Sequence, residues 1–297
     1  MTNIIGYIHV CQRGNWQRSF SLLLSSLKNS QLYENSTVIR IGVVNDVGKV
    51  SPDQLLQDDK FQVMYLGGSS QYERPTLLHM RAQAETDPDD TVYYYLHTKG
   101  IKHFGTRSEK NVIGWINLML YWNVARWRYA TAVLNTYSTY GCDFIINHYS
   151  GNFWWATKNH IKLLPKKIES YYIAPEKWVT LIRDKMYSAY CSDYAGGGLY
   201  NNYLSPSKYN TLSNKDAYLT NIKMQRRILD NMNSSKYKST FPMLNKAVNN
   251  SSSSSGGYSI SSKVNKVVNK AVNRVVNKVV NRVVNKNSKF RLNKFRM

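Results

Sequence analysis

His97, Thr98, Lys99 and Gly100 stand together at the end of an apolar, aromatic run, Val92 to Leu96. Lys99 offers a point positive charge, Thr98 a hydroxyl, and Gly100 a backbone that a phosphate can approach closely. His97 can donate to a phosphate oxygen or, when neutral, coordinate a metal. Composition alone fits a solvated polar loop equally well. A second stretch, Asp143 to Trp155, mixes small, polar and aromatic residues in an order that packing alone does not demand. Gly151 permits an unusual backbone angle, Asn152 provides a donor and an acceptor, and Trp154 and Trp155 supply flat rings. Adjacent tryptophans do not face one core from a single strand or helix, so at least one is expected to line a cleft.

These residues need elements to hold them. The run Thr91 to Gly100 is rich in β-branched and aromatic residues and stops at glycine, which predicts a buried strand emptying into a loop. Ligands gather at the carboxyl ends of strands in open α/β sheets, which is where residues 97–100 would sit. Three earlier runs, Ile4–Val10, Val38–Val44 and Phe61–Leu66, read as strands, and helical spacing follows at Trp16–Leu27 and after Glu73-Arg74-Pro75-Thr76. Strands separated by helices imply parallel pairing in a layered α/β sheet. Asn111–Leu134 reads as one long helix, with Trp115, Leu118, Met119, Trp122 and Tyr129 on an apolar face. Arg126 falls on that stripe, so its guanidinium must reach into a cleft or out to water. Cys142–Asn147 reads as a further strand, about Lys158–Leu164 and Ala174–Met186 as helices, and Ser192–Tyr203 as a loop or flap.

Composition bounds the class. The chain has 297 residues, with 23 Tyr and 7 Trp, enough to build a sizeable core. Tryptophans in that number also suit sugar-binding surfaces. The formal net charge of +22 is unevenly spread: the last acidic residue is Asp230, and basic residues from Lys236 to Arg296 carry more than half of it. The remainder is only moderately basic, so the overall charge is not a nucleic-acid signature of the fold. Cys11, Cys142 and Cys191 provide neither a disulfide framework nor a zinc motif, so a reducing compartment is expected. No signal peptide or membrane-spanning run is expected. Ser251–Ser255 and Gly256-Gly257 read as a linker, followed by a four-residue repeat of V-N-K or V-N-R type from Val264 to Asn287. Val and Asn are mediocre helix formers, so the repeat reads as a solvated tail or as a segment that docks on nucleic acid or an anionic membrane.

Six short motifs in order carry a resemblance: I-H-V-C-Q-R-G-N-W at 8–16, E-R-P-T at 73–76, Y-L-H-T-K-G at 95–100, W-I-N-L-M-L-Y-W at 115–122, H-Y-S-G-N-F-W-W-A at 148–156 and A-P-E-K-W-V at 174–179. The chain from about Ile4 to Tyr203 resembles a group of glycosyltransferases with a GT-A-like fold, found in giant DNA viruses and in bacteria. The resemblance implies a mostly parallel, Rossmann-like sheet flanked by helices, with a basic low-complexity C-terminal tail lying outside it. It implies a GT-A-like domain over 1–205; composition adds a helical or irregular extension over 206–250 and the flexible Ser-rich linker and basic repeat tail over 251–297. The implied activity is transfer of a sugar from a UDP-, GDP- or dTDP-sugar to a glycan, lipid or protein acceptor. The implied setting is cytoplasmic, or the virion of a virus.

Typical members carry Asp-x-Asp at the end of the fourth strand for a divalent metal, whereas this chain has L-H-T-K-G there. Lys99, with His97, Thr98 and Gly100, is therefore expected at the diphosphate, with Mn²⁺ or Mg²⁺ left open and no metal ligand assigned. Arg13 is placed near the nucleotide, with Trp16 packing beneath it. Asn152, Trp154 and Trp155 are placed at the sugar or acceptor. An inverting transfer needs a base, with Glu176 expected first and Asp143 second; a first-turn helix acid and a strand cap explain them equally well. Glu73 and Thr76 flank the donor pocket or merely start a helix. The alternative function is a non-catalytic carbohydrate-binding or virion-associated protein with a nucleic-acid-binding tail.

Overall fold

A computed structural model describes residues 2–145, 147–183, 185–192 and 198–233, with side chains to 228. The basic repeat tail lies outside the described residues, as do positions 193–197 of the expected flap. Residues 1–232 form one compact unit. No helix among the described residues is long and apolar enough to cross a membrane.

The first half alternates strands and helices: β1 (Asn3–Cys11), α1 (Trp16–Asn29), α2 (Leu32–Asn35), β2 (Val38–Val44), β3 (Phe61–Gly67), α3 (Arg74–Gln83) and β4 (Thr91–His97). The second half contains α4 (Glu109–Leu120), α5 (Trp127–Leu134), β5 (Thr139–Gly141), β6 (Phe144–Ile145), β7 (His148–Tyr149) and β8 (Trp154–Thr157). It ends with α6 (Lys158–Leu163), α7 (Ala174–Trp178), β9 (Met186–Ser188), α8 (Gly198–Asn201) and α9 (Asn214–Asn233). Seven strands form one sheet in the order β3-β2-β1-β4-β8-β5-β9, and β6 and β7 form a separate hairpin. β3, β2, β1 and β4 are parallel, as the continuous apolar runs predict, while β8 is antiparallel to both β4 and β5.

Strand alternation divides the interior into two cores. Val92, Tyr94 and Leu96 pack with Trp155 beneath α1, α4 and α5. Tyr93 and Tyr95 pack with Ile5, Tyr7 and Trp154 beneath α3, α6 and α7. Both faces of the sheet are therefore covered, which explains why β1, β2 and β4 read as near-continuous apolar runs. α9 adds Ala217, Asn221 and Met224 to the same body, with the Asn221 side-chain oxygen accepting from Ser188 N at 3.0 Å.

Three expected elements differ. The long helix is broken by a π-helical turn, Tyr121–Ala125, between α4 and α5. Widening the turn frees the carbonyls of Trp122 and Asn123, which accept from Tyr140 Oη at 3.0 Å and Trp155 Nε1 at 2.7 Å. Arg126 follows this turn and donates to Leu212 O at 2.9 Å and Tyr121 Oη at 3.0 Å, so it clamps the C-terminal segment rather than entering a cleft. The expected strand over 142–147 is interrupted by Asp143, whose φ of 52° turns the chain into the β6–β7 hairpin. The expected helix over 174–186 ends at Trp178, and the chain is extended again at Met186 to pair with β5.

Candidate functional site

The chain leaves β1 in one direction, through β2 to β3, and returns to pair β4 on the other side of β1. The carboxyl ends of β1 and β4 thus flank the topological switch point, where a crevice opens in sheets of this kind. His9 of β1 is directly opposite His97 of β4 in the register. Beyond them the two loops are joined: Thr98 N donates to His9 O at 2.9 Å, Cys11 N donates to Thr98 Oγ1 at 3.0 Å, and Asn15 N donates to Ile101 O at 3.2 Å. Thr98 is buried and serves as this joint. Gly100 takes φ of +78° against Val112, so a side chain there would be both strained and crowded. The resulting turn presents Lys99, whose carbonyl is held by Ser19 Oγ at 2.9 Å.

The Lys99 ammonium sits 3.9 Å from the Trp115 ring centroid, a cation–π contact. Among the described residues no carboxylate lies within ion-pair distance of it. Burial lowers its pKa, and the carboxylates of Glu176 and Glu73 oppose that shift through space. Lys99 is therefore a partly desolvated cation awaiting a counter-charge.

Glu73 occupies the start of α3 and turns its carboxyl into this cluster rather than capping its own helix. Its Oε1 lies 3.2 Å from His97 Nδ1, and its Oε2 accepts from Asn152 Nδ2 at 2.9 Å. His97 Nε2 is 2.9 Å from Gly151 O, and a carbonyl only accepts, so the Nε2 proton is committed there. Neutral His97 then presents a bare Nδ1 to Glu73, and the contact needs one proton between them. Burial pushes the Glu73 carboxyl up to about 7, with Lys99 and Asn152 opposing, and burial followed by the Lys99 charge pushes His97 down to about 3. Both directions put that proton on Glu73, which donates to a neutral imidazole. Gly151, at φ of +82°, brings its carbonyl to His97 in a space that a Cβ would lose to Met119 and Trp115.

A second carboxyl–imidazole pair completes the cluster. Glu176, in the first turn of α7, places Oε2 3.6 Å from His148 Nε2 on β7. Burial lowers the His148 pKa and Glu176 opposes it. The Glu176 side chain is 26 % exposed, against 13 % for Glu73, so it is the more accessible acid.

The structure thus brings together His97, Lys99, Gly100, Asn152 and Glu176 with Glu73, which was expected at the donor pocket or as a helix start, and adds His148 and Trp115. Arg13 lies at the rim, paired with Asp46 at 3.3 Å and donating to Ser69 Oγ at 3.3 Å, while Trp16 is buried in the core. Asp143 is not in the cluster. It is buried under the chain after β9, where its carboxylate accepts from Ser192 N at 2.7 Å, and burial raises its pKa. Trp154 and Trp155 are both 0 % exposed, so neither indole lines a cleft. They do point to different surfaces, but each surface of β8 is covered by a core. Asn152, also buried, is a bridge: it accepts from Trp154 Nε1 at 2.8 Å and donates to Glu73.

The donor set does not fit a divalent cation held by protein atoms alone. Mg²⁺ and Mn²⁺ take hard oxygen ligands, whereas this strand end offers an imidazole, an occupied hydroxyl and an ammonium. Its two carboxyls each face an imidazole, and among the described residues no three His, Cys, Asp or Glu side chains are placed to hold a metal ion. The chain matches no protein-family model, and no curated protein matches it.

Proposed function

We propose that the chain is a glycosyltransferase of GT-A-like type that transfers a sugar from a nucleotide-sugar donor to an acceptor hydroxyl. The observation that carries the reading is the underpaired Lys99 ammonium, set with two carboxyl–imidazole pairs at the switch point of a mostly parallel sheet. In this reading the donor diphosphate lies over the Lys99-Gly100 turn, with Arg13 at the nucleotide side of the rim. The acceptor oxygen forms a bond to the anomeric carbon. The bond from that carbon to the diphosphate oxygen breaks, and its electron pair leaves with the diphosphate. Lys99 stabilises the negative charge that develops there. The acceptor proton goes to Glu176, the more accessible carboxylate, with His148 beside it. Glu73, holding its proton against His97, keeps the cluster from carrying a second negative charge close to the diphosphate.

Thermal shift and hydrolysis with UDP-, GDP- and dTDP-sugars, with and without Mn²⁺, test this on wild type and Lys99→Ala. Selective stabilisation and turnover by one donor class, both reduced in Lys99→Ala, are expected. No response to any donor overturns the reading in favour of a non-catalytic binding protein. Turnover that is equal in Lys99→Ala removes the role assigned to the ammonium.

A further inference from the structure

Two tyrosines at the mouth of this cluster are exposed in a way that packing does not explain. Tyr72, the residue before Glu73, is 42 % exposed, and Tyr172, four residues before Glu176, is 64 % exposed. Their rings meet edge to face, with centroids 5.1 Å apart and planes at 85°. The pair forms a corner in which one ring makes a floor and the other a wall. Tyr72 holds its place at φ of 52° and ψ of −140°, a combination that glycine ordinarily supplies. An exposed side chain gains too little from burial to offset such a backbone, so the ring is presented at a cost in stability.

The corner is braced. Arg74 donates to Ser70 O at 3.1 Å and to Ser170 O at 3.2 Å, tying the turn before α3 to the segment before α7. Its guanidinium also lies 5.5 Å from the Tyr72 ring centroid and occupies part of that ring's surroundings. The corner adjoins the chemistry as well. Burial raises the pKa of the Tyr172 phenol, and the Tyr200 phenol and the carboxyl groups of Glu176 and Glu73 raise it further through space.

We infer that Tyr72 and Tyr172 form a binding subsite for a pyranose ring of the acceptor, which makes the acceptor a carbohydrate. The inference rests on the transferase reading for the word acceptor, but the saccharide site stands on its own geometry. A pyranose has an apolar C–H face and a rim of hydroxyls. The face stacks on one tyrosine, and the rim meets the phenol oxygens and the carboxylates behind them. A lipid chain would leave those polar groups unpaired, which disfavours it at this corner.

Titration of the full chain with maltotriose, cellotriose, chitotriose and mannotriose, followed by tyrosine and tryptophan fluorescence, tests the subsite. Wild type, Tyr172→Ala, Tyr172→Phe and Tyr72→Gly are compared, with donor hydrolysis in the absence of acceptor measured on the same samples. At least one trisaccharide is expected to bind wild type, with Kd raised about tenfold in Tyr172→Ala and about threefold in Tyr172→Phe, which keeps the ring and loses the hydroxyl. Tyr72→Gly is expected to bind weakly while its Tm is equal or higher, since glycine relieves the backbone. Donor hydrolysis by the wild type, measured without acceptor, tests the transferase reading separately from the subsite. Binding by none of the four trisaccharides, or equal binding in wild type and Tyr172→Ala, overturns the subsite even where donor hydrolysis is intact. Saccharide binding that depends on Tyr172, in a chain that hydrolyses no donor, leaves the subsite standing and overturns the transferase reading.

Discussion

The two ends of the sheet both bury charge, and they treat it in opposite ways. Toward the amino ends of the strands, Arg40 of β2 makes a two-pronged pair with Asp87 at 2.7 and 2.8 Å. Tyr7 Oη accepts from Arg40 at 3.1 Å, and Tyr93 donates to Asp87 at 2.7 Å. Lys158 adds a pair with Asp89 at 2.8 Å and a hydrogen bond to the Asp87 carbonyl. Burial pushes the Asp87 carboxyl up, yet the hydrogen bonds from Arg40 and Tyr93 outweigh it and hold the group below its usual range. Each donor there has its acceptor. At the carboxyl ends, Glu73 and His97 share a single proton, and Lys99 faces a ring instead of a carboxylate. A satisfied network has nothing left to offer a ligand, whereas an underpaired one does, which is why perturbed groups mark sites.

The comparison predicts that the two ends respond to truncation with opposite signs. Asp87→Ala leaves the Arg40 guanidinium buried without its partner and is expected to destabilise by about 3–5 kcal/mol in urea or thermal unfolding. Its folded fraction should keep donor turnover. A loss below about 1 kcal/mol would show that the amino-end network does not hold the fold together. Lys99→Ala is expected to leave stability unchanged or higher, because it removes a desolvated charge that lacks a close counter-ion. Donor turnover should fall about 10²–10³-fold, as when one stabilising group for a leaving anion is removed. Destabilisation of Lys99→Ala to the extent seen for Asp87→Ala would erase the distinction between the two ends.

Gly151→Ala probes the backbone that supports the underpaired end. The added Cβ must displace the Met119 sulfur and the Trp115 indole, at a φ of +82° that disfavours it. A loss of about 1–3 kcal/mol is expected, together with weaker donor binding as Trp115 moves away from Lys99. Unchanged stability would mean that this turn relaxes freely and does not set the position of His97.

The parallel half of the fold was legible because burial on both faces writes itself as continuous apolar runs, as at Ile4–Val10 and Val38–Val44. The antiparallel half was not, because β5 to β9 span only two to four residues each and carry no readable period. The π turn was hidden for a different reason. The apolar spacing of Trp115, Leu118, Met119 and Trp122 continues into it, and its cause lies in Trp155 and Tyr140, far along the chain. In the site, Lys99 and His97 were found because a strand end is a local signal. Glu73 fits a pocket flank or a helix start equally well in the sequence, since its partners His97 and Asn152 are brought to it only by the sheet. Trp154 and Trp155 misled because their alternation was read without knowing that both surfaces of β8 are covered. Tyr72 and Tyr172 gave no signal, as exposure of an aromatic is not written in its neighbours.

Glu73→Gln changes the structure least and carries the sharpest sign. The amide is nearly isosteric: its NH₂ donates to His97 Nδ1 and its oxygen still accepts from Asn152, so only the titration is removed. With its folded pKa raised to about 7, the wild-type carboxyl keeps its proton while the unfolded chain loses one near pH 4.5. Wild type therefore holds this contribution in full below about pH 4.5 and loses stability relative to the variant as pH rises from there to about 7, by on the order of 1 kcal/mol per pKa unit. Above that window the difference is level. Urea unfolding of both proteins between pH 4 and 8 reads the slope directly. If the contact instead held no proton, Glu73 would stay a carboxylate through this window and the fall relative to the variant would be absent. A level difference across the window would thus remove the shared proton from the contact and leave Glu73 charged beside Lys99.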